Sequence, residues 1–318
     1  MRFGIVILPQ DPWRVARRKW LGAEQYGFDH AFTYDHLSWR SLVDEPWNAT
    51  IPTLTAAAAV TERIQLGTFV SSPNFRHPVP FAKEIATVDD VANGRFLLGV
   101  GSGGTGFDAT VLGQPEYTPR QRHERFAEFV TDLDLLLRGE DQGATTGISF
   151  TGEWYTAVEA RMVRARASSR RRVPFLIAAN GPKGLGLVSR FGQGWVTTGQ
   201  NGAVGEEWWA SVRDLTWRLN DVASAAGRDP ATIDRHLSLD SGGTYSLQSM
   251  NAFEDAVGRA AELGFSDVIS HWPREHGIYA GDEAILDTVA TTLNNHPRAS
   301  QRTFPQPASK SAVDQPES

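Results

Sequence analysis

The chain has 318 residues, a formal net charge of −6 and no cysteine. That length is enough to bury a large core, as one α/β barrel or as two domains. The acidic balance argues against a general nucleic-acid binder, and the missing cysteine excludes disulfides, thiolate metal ligands and cysteine nucleophiles.

Phe3 to Leu8 reads as a first strand, and Pro12 to Tyr26 as a helix stopped by Gly27. Asp29 to Tyr34 is a second strand, followed by Asp35-His36-Leu37-Ser38-Trp39; a helix over Thr53 to Thr61 comes next. Ile64 to Val70 is an apolar, β-branched run broken by Ser71-Ser72-Pro73-Asn74. Pro78 opens a helix whose apolar face (Phe81, Ile85, Val88 and Val91) runs to the Asn93-Gly94 stop. Phe96 to Val100 is a fourth strand, ending in Gly101-Ser102-Gly103-Gly104, and a helix spans Arg120 to Leu137. Gly139 to Arg172 interrupts the rhythm, as a hairpin-like insertion followed by a basic connector with Arg161, Arg164, Arg166, Arg170, Arg171 and Arg172. Strand–helix alternation resumes with Pro174–Ala178, Lys183–Phe191, Gly194–Thr198 and Glu206–Ala226. It closes with His236–Leu239, Ala252–Leu263, Ser266–His271 and Asp282–Asn294.

Eight strand–helix units predict an α/β fold, a single (β/α)8 TIM barrel over residues 1–296 with a polar, disordered tail over 297–318. A doubly wound sheet would carry a glycine-rich turn after its first strand, where Leu8-Pro9-Gln10-Asp11-Pro12 stands instead. Parallel strands place the polar loops at Ser71 and Ser102 on one rim, where such folds bind ligands. No apolar run reaches the ~18 residues of a membrane span. Met1-Arg2-Phe3-Gly4 enters a strand without a signal-peptide pattern. The expectation is a cytoplasmic protein acting on a small molecule, with neither nucleic-acid nor membrane partners. No spacing of His, Asp or Glu suggests a metal site.

An ordered series of motifs then carries a resemblance. Tyr34-Asp35-His36, Leu66 to Pro73 with Arg76-His77-Pro78, Asn93 to Gly101, Ala178 to Pro182 and Gly192 to Trp195 follow one another along the chain. In this it resembles the bacterial-luciferase-like superfamily of flavin- and deazaflavin-dependent oxidoreductases. The resemblance implies a TIM-like barrel, homodimerisation, and a flavin at the carboxyl ends of the strands. It also implies a non-proline cis peptide at Phe69–Val70, under the flavin ring. Coenzyme F420 is the expected cofactor, with FMN and oxygen activation as the alternative; a non-catalytic flavin-binding protein is a third reading.

A flavin needs an apolar shelf, polar partners for its ring edge and chain, and donors for its phosphate. Phe69 and Val70 are read as the shelf, with Thr68 beside them. Ser72, Ser102, Gly103 and Gly104 are set against the ring or ribityl chain. Ala179, Asn180, Gly181 and Lys183 form a strand end, turn and helix start suited to the phosphate. His36 is read as the proton donor or acceptor, and Asp35 as its orienter or a cofactor contact. Trp39, His271 and Trp272 are assigned to the substrate pocket. Arg76 and His77 are read as capping or packing residues. Deazaflavin sugar-phosphate dehydrogenases of the superfamily carry a catalytic Glu shortly after the fourth strand; Gly104 stands at that place here, so that acid is not carried over.

Overall fold

The computed structural model describes residues 1–138, 147–162 and 172–295. The first half runs β1 (Arg2–Val6), α1 (Trp13–Tyr26), β2 (His30–Thr33), α2 (Thr50–Val60), β3 (Gln65–Thr68), α3 (Pro78–Val91) and β4 (Phe96–Gly101). A short α4 (Phe107–Thr110) and the long α5 (Pro119–Arg138) follow, then an antiparallel hairpin of β5 (Ile148–Thr151) and β6 (Thr156–Ala160). The second half runs β7 (Phe175–Ala178), α6 (Pro182–Phe191), β8 (Gly194–Thr197), α7 (Gly205–Ala225) and β9 (Asp234–Ser238). It ends with α8 (Met250–Glu262), β10 (Asp267–His271) and α9 (Ile285–Asn295). Leaving out the hairpin, the strands close into a barrel in the order β1-β10-β9-β8-β7-β4-β3-β2, and every barrel pair is parallel. This is the expected (β/α)8 architecture, with each strand at its expected place in the chain.

Alternating side chains build two cores, as the period of two along a strand requires. Val6, Phe32, Leu97, Leu176, Val196 and Ile269 point inward and fill the barrel. Ile5, Ala31, Leu66, Leu98, Ile177 and Val268 point outward and pack under the helices. Each fully buried side chain of this size contributes about 1.5–3 kcal/mol. Small residues let β3 and β4 approach closely: a Cβ on Gly99 would lie 2.0 Å from the Thr68 carbonyl oxygen.

Some expectations shift. The helix expected from Thr53 starts at Thr50, because Pro52 sits in the first turn, where its missing N–H is not needed. The last helix starts at Ile285 rather than Asp282; Asp282 instead accepts the Ala284 N–H at 2.9 Å, ahead of the helix. Arg172, expected in a solvated connector, is buried: it ion-pairs with Asp134 at 3.1 Å and lies 3.8 Å over the Phe175 ring. Arg164, Arg166, Arg170, Arg171, the start of the expected insertion and the tail over 297–318 lie outside the described residues.

The amino-terminal end of the barrel is closed by charge. Asp267 accepts hydrogen bonds from Arg2 Nε and Nη2 at 2.8 and 2.7 Å, and its Oδ1 lies 2.8 Å from His30 Nε2. Arg2 reaches Asp234 as well, at 2.7 Å. Burial would raise the Asp267 carboxyl, but neighbouring His236, the His30 hydrogen bond and the Arg2 guanidinium overrule it and hold the group below the usual carboxylate range. His236 faces the same cluster with no hydrogen-bond partner on either ring nitrogen, and burial lowers it from 6.5 to about 4. Folded protein therefore refuses a proton that the unfolded chain accepts, and stability falls as pH drops from 6.5 toward about 4. His236→Phe should flatten that slope in urea unfolding measured across the window; an unchanged slope would assign the acid sensitivity elsewhere.

Candidate functional site

At the opposite, carboxyl-terminal rim, the loops turn back over the barrel interior. Directly after β2 the chain places Tyr34, Asp35 and His36, and strand parity separates them. Tyr34 points inward, in one cluster with Trp39, Phe69 and Tyr279. Asp35 points out of the lumen and is 1% exposed, and both its oxygens hold Arg76, at 2.7 and 3.2 Å. Asp35, expected as an acid–base partner or cofactor contact, is therefore committed to an ion pair that fixes the loop after β3. Arg76 completes that pairing through Glu84 at 2.8 Å, and His77 Nδ1 accepts the Val79 N–H to cap α3.

His36 has a different partner. Its Nδ1 lies 2.5 Å from Asp108 Oδ2, while Asp108 Oδ1 accepts the Leu37 N–H at 2.9 Å. A carboxylate at Nδ1 favours the tautomer that leaves the Nε2 lone pair facing outward. The ring stays partly open, with 30% of its side chain exposed. Trp39 and Trp47 stack near it, their centroids 6.5 and 6.4 Å from the imidazole. This is an oriented imidazole against an aromatic wall.

Beyond β3 the Phe69–Val70 peptide is cis. Phe69 is buried against Phe32, with centroids 5.2 Å apart, and Val70 is half-buried. Gly101 lies beneath, where a Cβ would come within 2.9 Å of Val70 Cγ2. Thr68, expected among the cofactor contacts, is fully buried and donates to the Gly99 carbonyl at 2.7 Å, so its hydroxyl is unavailable to a ligand. Ser72 is buried, and its hydroxyl accepts the Asn74 N–H at 3.4 Å. Ser102 and Gly103 are half-buried and Gly104 is exposed; Asn74 donates to the Gly104 carbonyl at 3.3 Å. Gly103 takes a positive φ of 73°, and a Cβ there would meet Asn74 Oδ1 at 2.5 Å, so both backbone and packing call for glycine.

Across the rim, the Asn180 side chain is used within the protein. It donates to the Gly199 carbonyl at 2.7 Å and accepts the Thr197 hydroxyl at 2.8 Å. Ala179 gives its carbonyl to Trp195 Nε1 at 2.7 Å. These bonds shape the turn rather than bind a ligand. What remains open is the start of α6: no side chain caps it, Pro182 occupies the first turn, and nothing lies within 4 Å of a Cβ built on Gly181. Its first-turn amides have no side-chain cap, and Lys183 is exposed beside them.

His271 and Trp272 divide like Asp35 and His36. His271 points inward, with Nε2 2.7 Å from the Tyr34 hydroxyl and Nδ1 2.7 Å from Asp240. Trp272, expected in the substrate pocket, points outward against Gly22 and Tyr26 of α1. There it lines a separate groove of about 350 Å³, whose Lys19 and Arg274 are ion-paired with Asp11 and Glu45. Tyr34, Asp108, Asp240 and Tyr279 were not picked out as site residues from the sequence; of these only Tyr34 carried a usable signal, the inward parity of its strand.

Comparison with known proteins identifies the family and the fold. Residues 1–279 match the family model described as luciferase-like monooxygenase. An F420-dependent glucose-6-phosphate dehydrogenase of Beutenbergia cavernae is 37% identical over 188 residues, covering 57% of this chain and 51% of that protein. An F420-dependent hydroxymycolic acid dehydrogenase of Mycobacterium tuberculosis is 30% identical over 230 residues, covering 68% of this chain and 56% of that one. The chain thus spans about half the length of the curated relatives it matches. The coenzyme F420 dependent tetrahydromethanopterin reductase of Methanopyrus kandleri shares the fold, with a TM-score of 0.66, 18% identity and coverage of 91% and 97%. The chain belongs to the luciferase-like monooxygenase family.

Proposed function

We propose that this chain is an oxidoreductase that binds coenzyme F420 at the barrel mouth and transfers hydride to or from a small organic substrate. One observation carries the reading: a carboxylate-oriented His36 with an open Nε2 shares a rim with the apolar Phe69–Val70 shelf and the uncapped start of α6. Names of the aligned relatives support the deazaflavin over FMN. The family's description keeps reduced FMN and oxygen as the second reading. A cytoplasmic homodimer remains part of the proposal.

The residues present fit such a coenzyme. Val70 offers a half-buried apolar face, and Gly101 keeps the space beneath it narrow enough to hold that face in place. Ser102, whose hydroxyl makes only a 3.5 Å contact with the Gly103 carbonyl, is available to a polar ring edge or chain. The Lys183 and Gly184 amides and the Lys183 side chain would receive a phosphate. When bound, the deazaflavin supplies a two-electron hydride acceptor or donor. His36 holds the proton balance: its Nε2 takes a proton as the imidazole charges, and Asp108 stabilises the imidazolium that forms.

Fluorescence titration tests this directly. Coenzyme F420 should bind much more tightly than FMN; the reverse order would move the chain to the FMN reading. Lys183→Glu should weaken F420 binding about tenfold, roughly 1.4 kcal/mol. His36→Asn should leave that affinity within about threefold, since a proton-transfer group stabilises the transition state more than the bound ground state. Equal affinity in wild type and Lys183→Glu would place the phosphate elsewhere.

A further inference from the structure

The stretch between β4 and α5 carries a glycine at each of its bends. Gly103, Gly106 and Gly113 take φ of 73°, 109° and 80°. A Cβ on Gly104, Gly106 or Gly113 would meet nothing within 4 Å, so no packing calls for these glycines. At Gly106 the backbone does: φ of 109° with ψ of −157° is a conformation open essentially to glycine alone. Between the bends, apolar side chains stand uncovered. Phe107, Val111 and Leu112 are 46%, 40% and 60% exposed. Leu37, whose N–H Asp108 accepts, is 42% exposed beside them.

Both ends of the stretch are fixed, whereas its middle hangs on one side chain. Upstream, β4 lies in the barrel between β3 and β7. Downstream, the buried Arg125 of α5 reaches Gln114 at 3.4 Å and lies 5.3 Å from the Tyr117 ring centroid. The hairpin strengthens that anchor. Its Trp154 meets Tyr117 edge-on at 5.0 Å, and Glu128 of α5 accepts the Glu153, Trp154 and Tyr155 N–H groups at 3.1, 3.0 and 2.7 Å. Among the described residues, every hydrogen bond joining 105–113 to the rest of the chain ends on Asp108. It takes His36 Nδ1 on one oxygen, and the Leu37 and Ser38 N–H groups on the other at 2.9 and 3.4 Å.

We propose that residues 103–113 form a lid that turns on its glycines and latches through Asp108 onto the loop after β2. The proposal rests on the coenzyme reading, since the lid borders the mouth assigned to F420. Its chemical consequence is a gate. His36 receives its orienting carboxylate from the latched lid alone, so the proton-transferring imidazole is assembled on closure and undirected when the lid is open. Occupation of the mouth favours the latched state, because the coenzyme covers apolar surface that Phe107, Val111 and Leu112 otherwise leave in water. Asp108 is thus a positioning residue whose own position is conditional.

Limited chymotrypsin digestion of the full chain, with cut sites read by mass spectrometry, tests the lid. Phe107 and Leu112 are chymotrypsin sites within it, and cutting there tracks the opened fraction. Saturation with F420 should slow both cuts about tenfold. Asp108→Ala, which removes the latch, should speed them about tenfold in the coenzyme-free protein. Gly106→Ala should do the same without touching the latch, because alanine does not hold the latched backbone. Thr105→Ala, at an exposed residue without positive φ, should match the wild type. Unchanged cutting elsewhere in the chain shows that each variant is folded. Nitrogen NMR of labelled histidine gives an independent readout: Gly106→Ala should move His36 from the Nδ1-protonated toward the Nε2-protonated tautomer. Wild-type cutting in Asp108→Ala or Gly106→Ala, an unmoved His36, or no protection although F420 binds would each overturn the lid. So would protection that follows protein concentration instead of F420, which would assign the apolar side chains to a contact between two copies of the chain. Failure of F420 to bind would overturn the coenzyme reading, while the coenzyme-free variants still decide the latch.

Discussion

The fold depends on how a closed parallel barrel seals its narrow end. Here the plug is ionic: Asp267, with no exposed surface, gathers Arg2 and His30 across β10, β1 and β2. Removing either partner would leave a buried charge uncompensated. Once registered, parity fixes every side chain above it. Phe32 and Ile269 fill the middle layer, and Tyr34 and His271 arrive at the rim facing inward.

From that register follows the division of labour at the mouth. Neighbouring residues in the chain take opposite fates: Asp35 outward to Arg76 and Tyr34 inward, Trp272 outward to α1 and His271 inward. The loops then supply two carboxylates, Asp108 and Asp240, each fixed by backbone N–H groups and each orienting one histidine through Nδ1. Backbone donors fix the position of these carboxylates, and each carboxylate in turn fixes the orientation of its imidazole. The fold thus orients two histidines by one architectural device.

The barrel was legible because each strand reads as a short apolar run and each helix is bounded by a stop such as Asn93-Gly94, whose residues take φ of 50° and 75°. The rim was less so. Period-two counting from Phe32 or Ile269 would have sent Asp35 and Trp272 outward, and the reading by motif alone overlooked it. Thr68 and Asn180 lie in the right motifs, but their side chains are used on Gly99, Gly199 and Thr197, and pairing of that kind has no local sequence signature. Asp108 and Asp240 stand 72 and 31 residues from the histidines they orient, and only tertiary structure brings them there. The resemblance supplied the cis Phe69–Val70 peptide, which composition and periodicity could not.

The central claim is that the space between the Phe69–Val70 shelf, His36 and the start of α6 receives a planar deazaflavin. A crystal structure of the complex with coenzyme F420 tests it most directly. The account predicts the ring flat against Phe69–Val70, its phosphate on the Lys183 and Gly184 amides, and His36 at the edge of the reacting carbon. A coenzyme seated instead in the outer groove beside Trp272, or a phosphate held away from α6, would contradict it.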